Sequence, residues 1–300
     1  MDMTQNKCCR HGANLRRRRR RRRKILRSII FSYSIIAVAV FVAVGSSMIR
    51  SGDGRKNRYD VEAGNNTYDN AVIENSKISE KNKIQNNQSM LDDIMNSTQY
   101  PKQLKDLALK NEEALEFVYD YPAEHVKEHT IDLTEEASMD SVPLFVQWDK
   151  RWGYEKYSGN FFAASGCGPT TLSMVVVYLT HNRDASPIAV AKYSKEAGYS
   201  VDGSGSSWTL ISEGCRHYGV KAKAVALDES RMKAELDEGH PIVVNVGPGD
   251  FTDTGHFMVI TGYDDEGFSI NDPNSIEKSG KRWLFKNISS QIRAVWSMYV

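Results

Sequence analysis

The chain lacks most of the patterns that declare metal or nucleotide chemistry. It contains no HExxH and no CxxC, and His181, His217, His240 and His256 fall at no paired ligand spacing, so no metal site is expected. The glycine-rich run Gly203-Ser204-Gly205-Ser206-Ser207 is followed by no lysine, which excludes a phosphate loop. The acidic turn Asp264-Asp265-Glu266-Gly267 lacks the ligand series of an EF-hand and reads as a solvated turn. No internal repeat is visible. Four cysteines in 300 residues are too few for a disulfide framework. These absences leave a chain expected to need no cofactor.

Charge is present but unevenly placed. Residues 1–27 hold twelve Lys/Arg against Asp2 alone, a net +11, so with +1 overall the remainder carries −10. Eight consecutive arginines, Arg16 to Arg23, suggest nucleic acid at first sight. No aromatic residue is interleaved with them, however, and Ser28–Ile49 follows as 22 residues without a charge. A helix of ~20 apolar residues crosses the hydrocarbon core, and positive charge before it holds the N-terminus in the cytoplasm. The expectation is therefore a basic cytoplasmic arm (1–27), a single transmembrane anchor (28–49), an extracellular remainder and no nucleic-acid partner. The uncharged run is longer than the ~7–15 residues of a signal-peptide core, which favours an uncleaved anchor. Cys8 and Cys9 then lie on the reducing side of the membrane.

Residues 50–100 are polar and Asn-rich and are expected to form a flexible stalk. From Pro101 the texture changes. Leu104, Leu107, Ala108, Leu115 and Val118 recur at helical spacing, predicting an amphipathic helix over 102–119 within an N-terminal extension (101–141) that docks on the domain behind it. Aromatic residues then crowd the approach to Cys167: Phe145, Trp148, Trp152, Tyr154, Tyr157, Phe161 and Phe162.

Ser165-Gly166-Cys167-Gly168-Pro169-Thr170-Thr171 delivers a cysteine onto the start of a helix, with Pro169 suited to the first turn and Leu172 to Leu179 running apolar. A thiol there faces free backbone N–H groups and the positive end of the helix dipole, both of which favour thiolate. About ninety residues on, Gly255-His256-Phe257-Met258-Val259-Ile260 and Phe268-Ser269-Ile270-Asn271-Asp272 flank an acidic turn and predict a hairpin. A loop of Gly262 to Glu266 would set His256 directly across from Asp272, close enough for an imidazole–carboxylate hydrogen bond. Cysteine, histidine and aspartate together supply nucleophile, base and orienter. Gly166, Gly168 and Gly255 allow close approach of a second chain, and the Gly203–Ser207 loop, capping a helix expected from Trp208 to Tyr218, adds Trp208 to the candidate cleft residues. Cys215, inside that helix, reads as a small packed hydrophobe.

In Pro143-Leu144-Phe145-Val146-Gln147-Trp148-Asp149-Lys150-Arg151-Trp152-Gly153-Tyr154, in GCGPTTLSM, in Gly203 to Trp208, in Gly247 to Thr252, in GHFMVITGYDD and in Asn271 to Ser275, the sequence resembles the stand-alone relatives of the double-glycine leader (bacteriocin-processing) peptidases. These are papain-like cysteine peptidases of Gram-positive bacteria. The blocks occur in that family's order over residues 104–300. The resemblance implies Cys167 as nucleophile, His256 as general base and Asp272 as orienter. Papain-like enzymes usually place an oxyanion-hole glutamine a few residues before the cysteine, where this chain has Phe161, Phe162 and Ala163. Gln147 is the nearest upstream glutamine, and it reaches the site if the intervening segment loops out.

Helices precede strands, which suits a segregated α+β domain (142–300), papain-like, with the cysteine on a helical lobe and His256 and Asp272 on an antiparallel sheet lobe. The expected function is a membrane-anchored extracytoplasmic cysteine peptidase acting on a peptide or protein substrate. Two alternatives stand beside it: a cell-wall amidase or endopeptidase using the same Cys–His pair, and a non-catalytic surface binding module that keeps the fold. The sequence fixes no oligomeric state.

Overall fold

Residues 172 to 179 are apolar on every face of a helix, and such a helix must be enclosed. The computed structural model, which describes residues 66–300 and their side chains from residue 79, encloses it. In chain order the elements used below are helices α1 (Asn66–Asn96), α2 (Lys102–Lys110), α3 (Leu115–Tyr119), α4 (Cys167–Thr180) and α5 (Pro187–Glu196). Strand β1 (Lys221–Ala224), helix α6 (Glu229–Asp237) and strands β2 (Ile242–Val246), β3 (His256–Asp264), β4 (Gly267–Asn271), β5 (Arg282–Trp283) and β6 (Ile292–Tyr299) follow.

The six strands form one antiparallel sheet in the order β1-β6-β2-β3-β4-β5. Side chains alternate across a strand, so each strand feeds two cores. On one face Val243, Phe257, Val259, Trp296 and Met298 pack with Leu172 and Met174 to Val177 of α4. On the other, Ile242, Val244, Val246, Met258 and Ile260 pack with Met232 of α6. Every residue of β2 is buried because both faces are covered. The fold is α+β with helices and sheet in separate layers, as expected. Ser186 caps α5 by accepting from Ala189 N, Asp228 caps α6 by accepting from Arg231 N, and Gly239 follows α6 at φ +78°.

Four expectations need correction. The stalk is not featureless: residues 66–96 are helical, and at the end of α1 Met90 and Leu91 pack beside the fully buried Ile94. Average polarity hid an apolar patch one turn long. The helix predicted over 102–119 breaks at Asn111, whose extended backbone (φ −133°, ψ 102°) separates α2 from a short 3-10 turn and α3. The helix predicted over 208–218 is a single α-turn (Thr209–Ser212) and a 3-10 stretch (Gly214–Tyr218). The β3–β4 hairpin turns tightly, with Asp264 opposite Gly267 and a bulge between Ile260 and Gly262. Ile260 therefore faces Ile270, and His256 and Asp272 are not directly opposed.

The extension does dock. Leu104, Leu107, Ala108, Leu115, Phe117 and Val118 form a third core with Phe161 and Ala163 of the segment leading into α4. Residues 70–300 make up one compact unit. The basic arm, the expected anchor Ser28–Ile49 and residues 50–65 lie outside the described residues. Among the described residues no helix is long and apolar enough to cross a membrane.

Because Leu172 is fully buried between helix and sheet, Leu172→Ala is expected to cost about 2–5 kcal/mol, measured by urea unfolding of the purified chain. A cost under about 1 kcal/mol would show that α4 is not the enclosed element.

Candidate active site

Cys167 is the first residue of α4, with Gly166 at the N-cap. A Cβ on Gly166 would lie 2.6 Å from the Phe162 ring, and one on Gly168 2.5 Å from Ser206 Oγ. Both glycines are therefore packing positions: they let α4 start against the preceding turn and against the Gly203–Ser207 loop. Neither lines the cleft, contrary to expectation.

His256 opens β3 and Asp272 follows the end of β4, both buried. His256 Nε2 donates to Asp272 Oδ1 at 2.6 Å. The pair forms although the register differs from the predicted one, because Asp272 falls diagonally from His256 and diagonal neighbours lie within reach of longer side chains. Asn274 N also donates to Asp272 Oδ1 (2.8 Å), and Asp272 N donates to Ser279 Oγ (2.9 Å). Two contacts hold β3 in place: Thr171 Oγ1, one turn after the cysteine, donates to Phe257 O (3.1 Å), and Asn245 Nδ2 donates to His256 O (3.2 Å).

With Nε2 committed to the carboxylate, Nδ1 is the nitrogen left for the thiol. Burial opposes ionisation of Cys167, but the hydrogen bond and charge of His256, with the backbone N–H groups of Phe257 and Gly168, outweigh it and lower the thiol pKa. Burial likewise disfavours the imidazolium, yet Asp272 and then Cys167 raise His256 to about 10. The two groups favour an ion pair and titrate together. Cys215, by contrast, is fully buried and pushed up to about 11 by desolvation; it is inert packing, and both it and Cys167 are free.

The segment before Cys167 does loop out. Lys156–Tyr157 and Asn160–Phe161 form a two-stranded hairpin turned at Ser158 and Gly159, both at positive φ. This folds Gln147 back beside Ala163. Gln147 N donates to Pro273 O (2.7 Å), and its Nε2 donates to Ala163 O (2.7 Å) and Asn274 Oδ1 (3.3 Å), while Oε1 is buried without a partner. The upstream aromatics act mainly as a clamp: Phe145, Trp152, Tyr157, Phe161 and Phe162 are buried.

Cys167 sits where two cavities meet. One, of about 580 Å³, is walled by α2, Gln147, the 249–255 loop, His256 and Asn274. The other, of about 660 Å³, lies between the Gly203–Ser206 loop, Trp208, residues 245–248 and Arg293. Asn160, Ala164, Thr254 and Gly255 line both. Gly255 lines both cavities and Trp208 the second, with Trp208 nearly half exposed and set edge-on to Trp296.

A family model described as Peptidase C39 like family matches residues 139–300. The chain belongs to that family. The C39-like match puts it with the cysteine peptidases and with the papain-like fold. Among solved structures, the peptidase domain of Streptococcus ComA, a bifunctional ABC transporter involved in quorum sensing, is 19% identical. That match covers 53% of this chain and 96% of that one with a TM-score of 0.38. A chain described as a C39-like peptidase from Bacillus anthracis is 16% identical over 53% of this chain and 95% of that one, with a TM-score of 0.34. No curated protein matches the chain.

Sequence reasoning about the C39-like domain missed Asn160 and Ala164, which no motif marks, and undervalued Asn274, which lies in the NDPNS block and touches both Asp272 and Gln147. Among the described residues, the one grouping of potential metal donors is Glu235, Glu238 and His240. Glu235 is already held by Lys223 and Ser297, each at 2.7 Å.

Asp272→Asn removes the charge that sustains the imidazolium. The alkaline limb of Cys167 alkylation by iodoacetamide should fall from about 10 towards the ordinary histidine value of about 6.5, and the acid limb should rise. Rate against pH on the full chain, read by mass spectrometry at Cys167, checks this. A profile identical to the parent would remove Asp272 from the site.

Proposed function

We propose that the chain is a cysteine peptidase acting through Cys167, His256 and Asp272. The observation that carries this reading is a helix-terminal thiol, lowered in pKa, against an imidazole whose far nitrogen is bound to a buried carboxylate. A purely structural His–Asp pair would have no reason to favour thiolate at the mouth of a cleft.

The Cys167 sulfur attacks the scissile carbonyl, forming a C–S bond as the π electrons move onto oxygen. The Cys167 N–H supplies one oxyanion contact, and Gln147 Nε2 is the side-chain candidate, turning to the oxyanion from its long 3.3 Å contact with Asn274 Oδ1. His256 gives its Nδ1 proton to the leaving amine as the C–N bond breaks, leaving a thioester. Neutral His256 then takes a proton from water, whose oxygen attacks the thioester. The product acid leaves and the thiolate–imidazolium pair returns. Asp272 holds the ring orientation and opposes its positive charge throughout. Two cavities flanking the sulfur fit an extended peptide on either side of the scissile bond.

The charge split and the uncharged run Ser28–Ile49 support tethering to a membrane, with the catalytic domain on the far side from the basic arm. The substrate is then an extracytoplasmic peptide or protein.

Digestion of a mixed peptide library by the full chain should give cleavage that Cys167→Ala abolishes. Gln147→Ala should retain KM within a few-fold and lose about 10²–10³ in kcat. The kcat–pH profile should rise through the lowered thiol pKa and fall again near 10. Muropeptide release from purified wall with no library cleavage would move the substrate to peptidoglycan. Inactivity on both, with Cys167 alkylating as an ordinary thiol, would leave a binding module.

A further inference from the structure

The residues upstream of the family match do more than connect. Asn111, nearly buried at the break between α2 and α3, donates from Nδ2 to Asn274 O (2.9 Å) and Asn274 Oδ1 (3.1 Å). Two residues on, Glu113 accepts from Ile276 N (2.7 Å) and Glu277 N (3.1 Å) and is bonded to Ser275 Oγ. One carboxylate thus satisfies the free N–H groups of the turn that follows Asp272. Asn274 in turn donates its N–H to Asp272 Oδ1 and accepts from Gln147 Nε2.

The same extension grips the other side of the cleft. Leu104, Leu107, Ala108 and Phe117 pack on Phe161 and Ala163, immediately before Cys167. Tyr154 Oη donates to Phe117 O (2.8 Å). Residues 102–119 therefore span from the segment that delivers the nucleophile to the loop that carries Asp272, and α2 walls one cavity between them.

We infer that the N-terminal extension is a working part of the catalytic unit, with Asn111 and Glu113 as positioning residues that fix the Asp272–Asn274 turn against His256. This rests on the peptidase reading above. An oxygen displaced by about 1 Å orients the imidazole poorly, and a displacement of that size is costly to catalysis. The clamp is remote in sequence, with Asn111 and Asn274 separated by 163 along the chain, and none of its contacts involves the reacting atoms.

The test reads the thiol directly and needs no substrate. Cys167 alkylation against pH is measured on the full chain for the parent, His256→Ala, Asn111→Ala and Glu113→Gln, with thermal unfolding alongside. Cys167 and Asp272 contact His256, and Asp106, Lys110, Asp250, Asp253 and Lys278 line the same cavity. Asn111→Ala alters none of these charges, so a shift in that variant reports position. Both clamp variants are expected to raise the acid limb by about one pH unit while remaining folded. A parent and His256→Ala with the same ordinary-thiol profile would sink the peptidase reading, and the clamp with it. A shifted His256→Ala beside folded clamp variants that match the parent would overturn the clamp alone. Lower stability with an unmoved limb counts the same way, as structural support only.

Discussion

The pair formed by His256 and Asp272 is the constraint that the remainder of the domain serves. Taking a carboxylate and an imidazolium out of water costs several kcal/mol per ion, which their attraction offsets only where geometry and added hydrogen bonds are good. The 2.6 Å bond and the second donor from Asn274 N both fall on Asp272 Oδ1, while Oδ2 is buried without a partner, so the pair depends on that geometry being held. Each depends on something further away. The Asn274 contact needs a tight turn after β4, and the approach of His256 needs β3 fixed to β2 and to α4. Asn245 and Thr171 provide those two attachments through backbone carbonyls, so they hold the strand whatever the charge state of the histidine.

The thiol completes the arrangement from a different layer. A helix start is a good place for a thiolate and a poor one for a neutral buried sulfur, because free N–H groups point outward along the axis. Putting that end next to β3 requires close contact, which explains the two glycines flanking Cys167. They were read from sequence as room for substrate. In the structure they are room for Phe162 and Ser206. The space for a second chain comes instead from the hairpin at 156–161, the 249–255 loop and the open side of Trp208.

What the sequence made legible follows from how local each signal is. The start of α4 and the His–Asp pairing rest on short-range chemistry, and both appear. The hairpin register did not, since a bulge at Thr261 trades a five-residue loop for a tight turn and no residue there announces it. Asn111 lies in the middle of a correct 3.6-residue apolar pattern. Only its partners, far along the chain, explain why the helix breaks at that point. Average composition misled over residues 66–96, where a mostly polar helix ends in one apolar turn. Gln147 became a candidate through the resemblance to papain-like enzymes, which implies a glutamine where Phe161, Phe162 and Ala163 stand, and only the fold shows that it lies beside Ala163.

On the peptidase reading, the catalytic unit begins well before residue 139, where the family match starts. A stalk that merely held the domain at a distance would need no contact with both sides of the cleft. The extension has an apolar face on Phe161 and Ala163 and two polar side chains on the Asp272 turn, and these sit on opposite sides of the reacting groups. Removing either contact leaves the other holding only one side. The apolar contact supplies adhesion, being non-directional and roughly proportional to area, while the Asn111 and Glu113 hydrogen bonds supply direction. Adhesion alone tolerates sliding by an ångström; a carboxylate that must meet Nε2 at 2.6 Å does not. The polar pair is therefore the part of the extension that catalysis can sense, and the helices around it are what keep that pair in place.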